Sequence, residues 1–218
     1  RLTTGGPSSR NPDQYWGYHV ATETVRQISE AVQRNEPFLA WASIWEPHPP
    51  FYPPKRYYEQ IDQSRIQIPR NESTRTEAPT ARIQRRRRKW EHLTEVEIRQ
   101  MIAGYFGMVT LADEYVGMIL DAVDQLGIRD DTLIIFTSDH GEQLWDQQLF
   151  LKFEFFEQSV RVPLFFSHPS LEPGDRQSLV EHVDIVPTIC DMISVSPPGP
   201  VDGSSMKELL YNWAADAR

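Results

Sequence analysis

Asp139-His140-Gly141 places a carboxylate and an imidazole side by side where the apolar run Thr132-Leu133-Ile134-Ile135-Phe136-Thr137 stops. That run is apolar and β-branched enough for one fully buried strand. Open α/β sheets bind ligands at the carboxyl ends of such strands, so the pair offers two potential metal ligands at that edge. Gly141 is expected to let the backbone turn sharply enough for both side chains to point at one place. The same residues also spell an ordinary polar turn after a strand, and the neighbours must decide.

Two further residues have chemistry to offer. His48 lies in Glu46-Pro47-His48-Pro49-Pro50, where three prolines restrict the backbone around one histidine. It is either a functional group held in place or a loop histidine bonded to a nearby carbonyl. Lys152 stands among bulky apolar residues, where an unpaired ammonium is costly. It needs an anion, either a neighbouring carboxylate or a bound substrate.

The elements that must position these groups follow from spacing. Ala21, Val25, Ile28 and Val32 recur at helical intervals between His19 and Arg34, and Asn35 and Pro37 stop that helix. Phe38 to Trp45 is almost wholly apolar and reads as a strand covered on both faces. Thr94-x-x-Glu97 is a capping-box pattern. Behind it Ile98, Ile102, Tyr105, Val109, Ala112, Val116, Ile119 and Val123 keep helical spacing, and Gly127 stops the run. Glycines 104, 107 and 117 weaken an isolated helix, so they are expected at close approaches to the sheet or another helix. Val160 to Phe166 suggests a further strand, and Asp184 is expected to cap a helix from Ile185 to Ile193. Ser204 to Trp213 reads as a short helical segment.

Strand, crossover helix and strand make a right-handed βαβ unit. The predicted fold is therefore α/β, a mostly parallel sheet flanked by helices, with His48 and Asp139-His140 at the same sheet edge. Residues 51–94 form a long polar excursion containing the one dense charge run, Arg85-Arg86-Arg87-Arg88-Lys89. Such a run is either a solvated face or a grip for a sulfated or phosphorylated polymer.

The chain of 218 residues carries a net charge of -9, so nucleic acid is not the expected partner. One cysteine, Cys190, excludes an internal disulfide, and no apolar stretch is long enough to span a membrane. The chain begins at Arg1 with no signal-like region after it, and reads as cut from something longer.

Taken together, several segments resemble the sulfatase family of the alkaline-phosphatase superfamily. They are Pro47-His48-Pro49, Tyr105 to Gly117, Ile135 to Glu142, Phe156 to Leu164 and Val183 to Thr188, in matching order over most of the chain. The resemblance implies hydrolysis of a sulfate ester substrate at a divalent metal, through a formylglycine nucleophile. Carried over, Asp139 and His140 match metal ligands, and Lys152 matches the lysine that contacts the sulfate and leaving oxygen. His48 matches the histidine that binds sulfate or protonates the leaving group. Glu157, Arg161 and Asp184 match positions expected to be structural. Calcium is the metal the resemblance favours, with manganese next because of the imidazole.

The chain departs from the family pattern in three places. The nucleophile motif Cys/Ser-x-Pro-x-Arg is missing, and Gly5-Gly6-Pro7-Ser8-Ser9-Arg10 is only a near match, with Gly5 at the nucleophile position. The C-terminal subdomain is expected to be absent after Leu210. Trp145, Gln147 and Gln148 stand where many members carry Gly, His and Gly. Residues 1–218 are thus expected to be part of one incomplete sulfatase-like domain, inactive alone, with formylglycine supplied upstream or by a complementing chain. The alternatives are a phosphodiesterase or phosphonate monoester hydrolase of the same superfamily, or a non-catalytic polyanion-binding module using Arg85 to Lys89.

Overall fold

A computed structural model of the chain describes residues 5–69 and 79–212. In chain order the elements are α1 (Trp16–Gln33), α2 (Lys55–Glu59), α3 (Pro79–Arg88), α4 (Glu95–Gln125), β1 (Ile134–Thr137), α5 (Glu157–Val160), β2 (Leu164–Ser167), α6 (Ile185–Met192) and α7 (Lys207–Tyr211). They fall into two compact units. The first comprises Arg1–Ile128 and Thr137–Pro163, and the second comprises Arg129–Phe136 and Leu164–Arg218.

Helix α4 is the axis of the first unit. At its start Glu97 N–H donates to Thr94 Oγ1 (3.3 Å) while Thr94 N–H donates to Glu97 Oε2 (2.8 Å), the reciprocal cap read from the sequence. At its end Gly127, at φ 69°, allows the amide of Ile128 to reach Val123 O (3.2 Å) and its own to reach Asp124 O (3.0 Å). Thr94→Ala is expected to destabilise the chain by about 1 kcal/mol. The change would appear as a lower urea midpoint with an unchanged slope.

The buried stripe of α4 runs through Ile98, Met101, Ile102, Met108, Leu111, Tyr115 and Val123. Val109, expected in that stripe, is instead 40% exposed. A stripe drawn on seven-residue steps drifts around a straight helix of 3.6 residues per turn. Tyr115 and Leu111 meet Tyr15, Ala21 and Tyr57 in one cluster, which fixes α1 and α2 on α4.

A second cluster joins Phe51, Tyr58, Ile66, Ala81 and Trp90 to Ile98, Met101, Ile102, Leu149, Phe150 and Leu151. Residues 51–94 thus contribute core side chains at irregular intervals. Gly104 and Gly107 are close approaches: Gly104 meets the loop at Phe51, while Gly107 meets Pro53 and the backbone of Tyr58 in α2. A Cβ on Gly104 would lie 2.4 Å from Phe51 O, whereas one on Gly117 meets nothing within 4 Å.

Phe38 to Trp45 is not a strand. No ladder partner lies beside it among the described residues, and Leu39, Trp41 and Trp45 are 75%, 81% and 57% exposed. Apolar composition signals burial, but a strand also needs neighbours for its amides and carbonyls. The expected βαβ unit is therefore not formed, and the expected mostly parallel sheet is represented among the described residues by two strands.

The second unit holds that pair, β1 beside β2, with Phe136 and Phe165 rings 6.0 Å apart. Phe136 is 43% exposed, so β1 is not the fully buried strand its composition suggested. Asp184 precedes α6 without capping it. Its carboxylate accepts instead from Glu181 N–H (2.9 Å) and Ser204 N–H (2.8 Å), a structural brace. Residues 207–211 form α7, and Trp213, in the expected C-terminal helix, lies outside the described residues.

Candidate active site

All four candidate residues belong to the first unit. His48 sits on a turn closed by its own N–H donating to Trp45 O (2.9 Å), between cis Glu46-Pro47 and cis Pro49-Pro50 bonds. Its ring lies against Trp45, centroids 4.4 Å apart. Nδ1 is 2.8 Å from Pro49 O, and a carbonyl can only accept, so Nδ1 carries the proton. The bond to a carbonyl that a structural loop histidine would make is present, and it leaves Nε2 with its lone pair available.

Glu46 ties this turn to α1. Gly17 N–H, in the first turn of α1, donates to Glu46 Oε2 (3.1 Å), so a buried carboxylate faces the positive end of the helix. Glu46 is 6% exposed, and burial pushes its carboxyl above the usual range despite the amides that pull it down. The folded chain therefore keeps a proton that the unfolded chain has released. Glu46's contribution is largest below its unfolded pKa and declines as pH rises through the folded one. Glu46→Gln retains an acceptor for Gly17. Between pH 4 and 7 it is expected to gain stability on the wild type, measured by urea unfolding at both pH values.

Asp139 and His140 follow β1 directly. His140 Nδ1 is 2.7 Å from Gly141 O, which again assigns the proton to Nδ1 and leaves Nε2 as an electron-pair donor. That Nε2 lies 3.5 Å from Asp139 Oδ2, and Asp139 Oδ1 accepts from His140 N–H (3.0 Å). The Asp139 side chain is 85% exposed. Gly141 is required for proximity and not for a left-handed turn. A Cβ there would lie 2.0 Å from Gln158 O, while Gly141 N–H donates to Ser159 O (2.8 Å).

Lys152 follows the buried residues Leu149, Phe150 and Leu151, so its backbone is anchored while its side chain stays half-buried. It makes no ion pair or hydrogen bond among the described residues. The loop before it is strained. Leu144, Trp145, Gln147, Gln148 and Leu151 all have positive φ, a costly region for side-chain-bearing residues. Trp145 and Gln148, at φ 80° and 55°, are two positions where the family resemblance implied glycine.

Glu142 holds this loop together and was missed as a site residue. Its Oε1 accepts from the amides of Leu144 (3.3 Å) and Leu151. Burial raises its carboxyl above the usual range, while those amides and the charges of Lys152 and His140 act in the opposite sense. The signal was its place directly after Asp-His-Gly.

Three of the candidates act on the fourth. His48 is held below the usual histidine range first by burial, then by the positive fields of Lys152 and His140; Pro49 O and Asp139 act in the opposite sense. The turn after Trp45 and the loops after β1 thus come together although residues 38–45 form no strand. Among the described residues, no group of three or more His, Cys, Asp or Glu side chains is arranged to hold a metal ion. Gly5 has no room for a nucleophile, because a Cβ there would lie 2.6 Å from Met101 Cα.

An imidazole, a carboxylate–imidazole pair and a lysine with no ion pair among the described residues thus share one neighbourhood. Residues 5–195 match the family profile Sulfatase, and the chain belongs to the sulfatase family. It is similar to choline-sulfatase of Rhizobium meliloti, at 28% identity over 81% of this chain and 36% of that protein. It is similar to the multifunctional alkaline phosphatase superfamily protein PehA of Trinickia caryophylli, at 33% identity over 81% of this chain and 38% of that one. The solved phosphonate monoester hydrolase of Silicibacter pomeroyi has the same fold, with TM-score 0.79 and 24% identity over 97% of this chain and 44% of that one. The chain thus spans less than half the length of each of these proteins.

Proposed function

We propose that this chain contributes part of the catalytic centre of a sulfuric ester hydrolase. The observation that carries the reading is that Asp139, His140 and Lys152 all lie within electrostatic reach of His48. Asp139 Oδ2 and His140 Nε2 are two electron-pair donors 3.5 Å apart. Such donors repel unless a cation lies between them, so the pair fits a divalent metal as well as a proton. Calcium is first by family resemblance and manganese next, since the set includes nitrogen. When bound, the metal would supply positive charge against the ester oxygens and the nucleophile.

The chain's own groups do the rest. Lys152 makes no ion pair among the described residues, so its ammonium is available to a sulfate oxygen and to charge developing on the leaving oxygen. His48 is oriented by Pro49 O and presents Nε2. It can protonate the leaving oxygen only after taking up a proton, which the nearby positive charges resist until an anion binds. The chain alone is expected to be inactive. Formylglycine would come from sequence outside it.

The test is turnover of an aryl sulfate by a chain extended to include the nucleophile region. Chelation and Asp139→Ala are each expected to abolish it; turnover insensitive to both would refute the metal assignment. Similarity to the multifunctional protein of Trinickia caryophylli supports a second reading, a phosphonate monoester or phosphodiester hydrolase. The ratio of sulfate to phosphonate and phosphodiester turnover separates the two.

A further inference from the structure

Helix α3 is two-sided. Ala81, Arg85 and Arg88 share one face at steps of four and three residues. Arg85 Nη1 donates to Gln147 O (2.9 Å), and the Arg88 guanidinium lies 5.1 Å from the Phe153 ring centroid. Thr80 Oγ1, on the same helix, donates to Glu154 Oε2 (2.7 Å). That face therefore rests on the loop that carries Lys152.

The opposite side has no such work. Arg82 and Arg86 form the next stripe, Arg87 flanks it, Lys89 follows the helix end at φ 58°, and all four are exposed. None has an ion-pair partner among the described residues. Among the described residues, Glu91 Oε1 lies 3.7 Å from His92 Nε2, and Glu154 accepts from Thr80 through Oε2. Clustering these cations costs local self-repulsion that no ion pair among the described residues offsets. On the Lys152 loop Phe153, under Arg88, and Phe155 are 51% and 97% exposed, rings able to pack on the apolar face of a sugar.

We propose that the exposed face of α3 binds a multiply sulfated polysaccharide, holding the chain of anionic groups that extends beyond the ester at Lys152. The inference rests on the sulfatase reading for its ligand class. A polymer that places one sulfate at Lys152 and further sulfates along an adjoining helix is a sulfated glycan; a nucleic acid offers no sulfate ester. Arginine suits such groups because its planar donor fork matches their oxygens.

Binding of heparin to the chain at physiological salt tests this, with a variant carrying Arg82→Gln, Arg86→Gln, Arg87→Gln and Lys89→Gln. These side chains are exposed and make no hydrogen bond or ion pair among the described residues, so the variant is expected to match the wild type in circular dichroism and thermal midpoint. Heparin is expected to bind with steep salt dependence and roughly tenfold or more weaker to the variant, while uncharged dextran binds neither. Heparin failing to bind, or binding both proteins equally, overturns the proposal. Single-stranded DNA binding as tightly as heparin overturns the choice of a glycan. Aryl sulfate turnover by the extended chain is a separate readout: its absence would sink the sulfatase reading, whereas loss of heparin binding with that turnover intact would sink only this one.

Discussion

Alanine at Lys152 is expected to lower kcat/KM for an aryl sulfate by about 10²- to 10³-fold in a chain extended to include the nucleophile region. The size follows from what Lys152 does not do. It makes no ion pair among the described residues, so its charge is not committed to the fold. Glu142 affects it only through the longer-range field, and clasps the loop through the amides of Leu144 and Leu151 instead. Removing an unpaired, half-buried ammonium should leave the thermal midpoint unchanged or slightly higher. Lys152→Arg keeps the charge while moving it, and should recover part of the rate. Unchanged kcat/KM in the alanine variant, or a rate loss matched by a fall in stability, would refute a direct role.

Two glycines on one helix should respond to alanine in opposite directions. Gly104→Ala places a methyl 2.4 Å from Phe51 O and 3.1 Å from Phe51 Cβ. The nearest obstacle is backbone, so the loop must shift away from α4. A loss of about 1–3 kcal/mol is expected, even after the gain of roughly 1 kcal/mol that alanine brings to a helix interior. Gly117→Ala meets open space and should show that gain alone. Denaturant unfolding of both variants decides the matter. Equal effects would mean the contact at Phe51 has no energetic weight.

What the sequence revealed depended on whether the cause was local. The cap and stop of α4 were readable because Thr94, Glu97 and Gly127 act on amides within a few residues. Asp139-His140 and His48 stood out by type and punctuation, and the structure brings their fields together. The route to that meeting was misread. Residues 38–45 have the composition of a buried strand, but composition does not say whether a partner strand exists. Distant braces left no periodic trace either: Glu46 on Gly17 spans 29 positions. The core role of Phe51, Tyr58, Ile66 and Trp90 was hidden because their spacing follows no helix or strand period. Gly141 was identified correctly as necessary, yet its reason, the backbone of Gln158, is visible only in three dimensions.

The bare segment from Phe38 to Trp45 has a practical outcome. Tryptophan and leucine facing water beside amides with no backbone partner among the described residues form a template on which a second polypeptide can zip. The isolated chain should therefore self-associate as its concentration rises. Because the attraction is apolar, sulfate salts should promote turbidity, whereas a charge placed at Trp41, 81% exposed, should suppress light scattering.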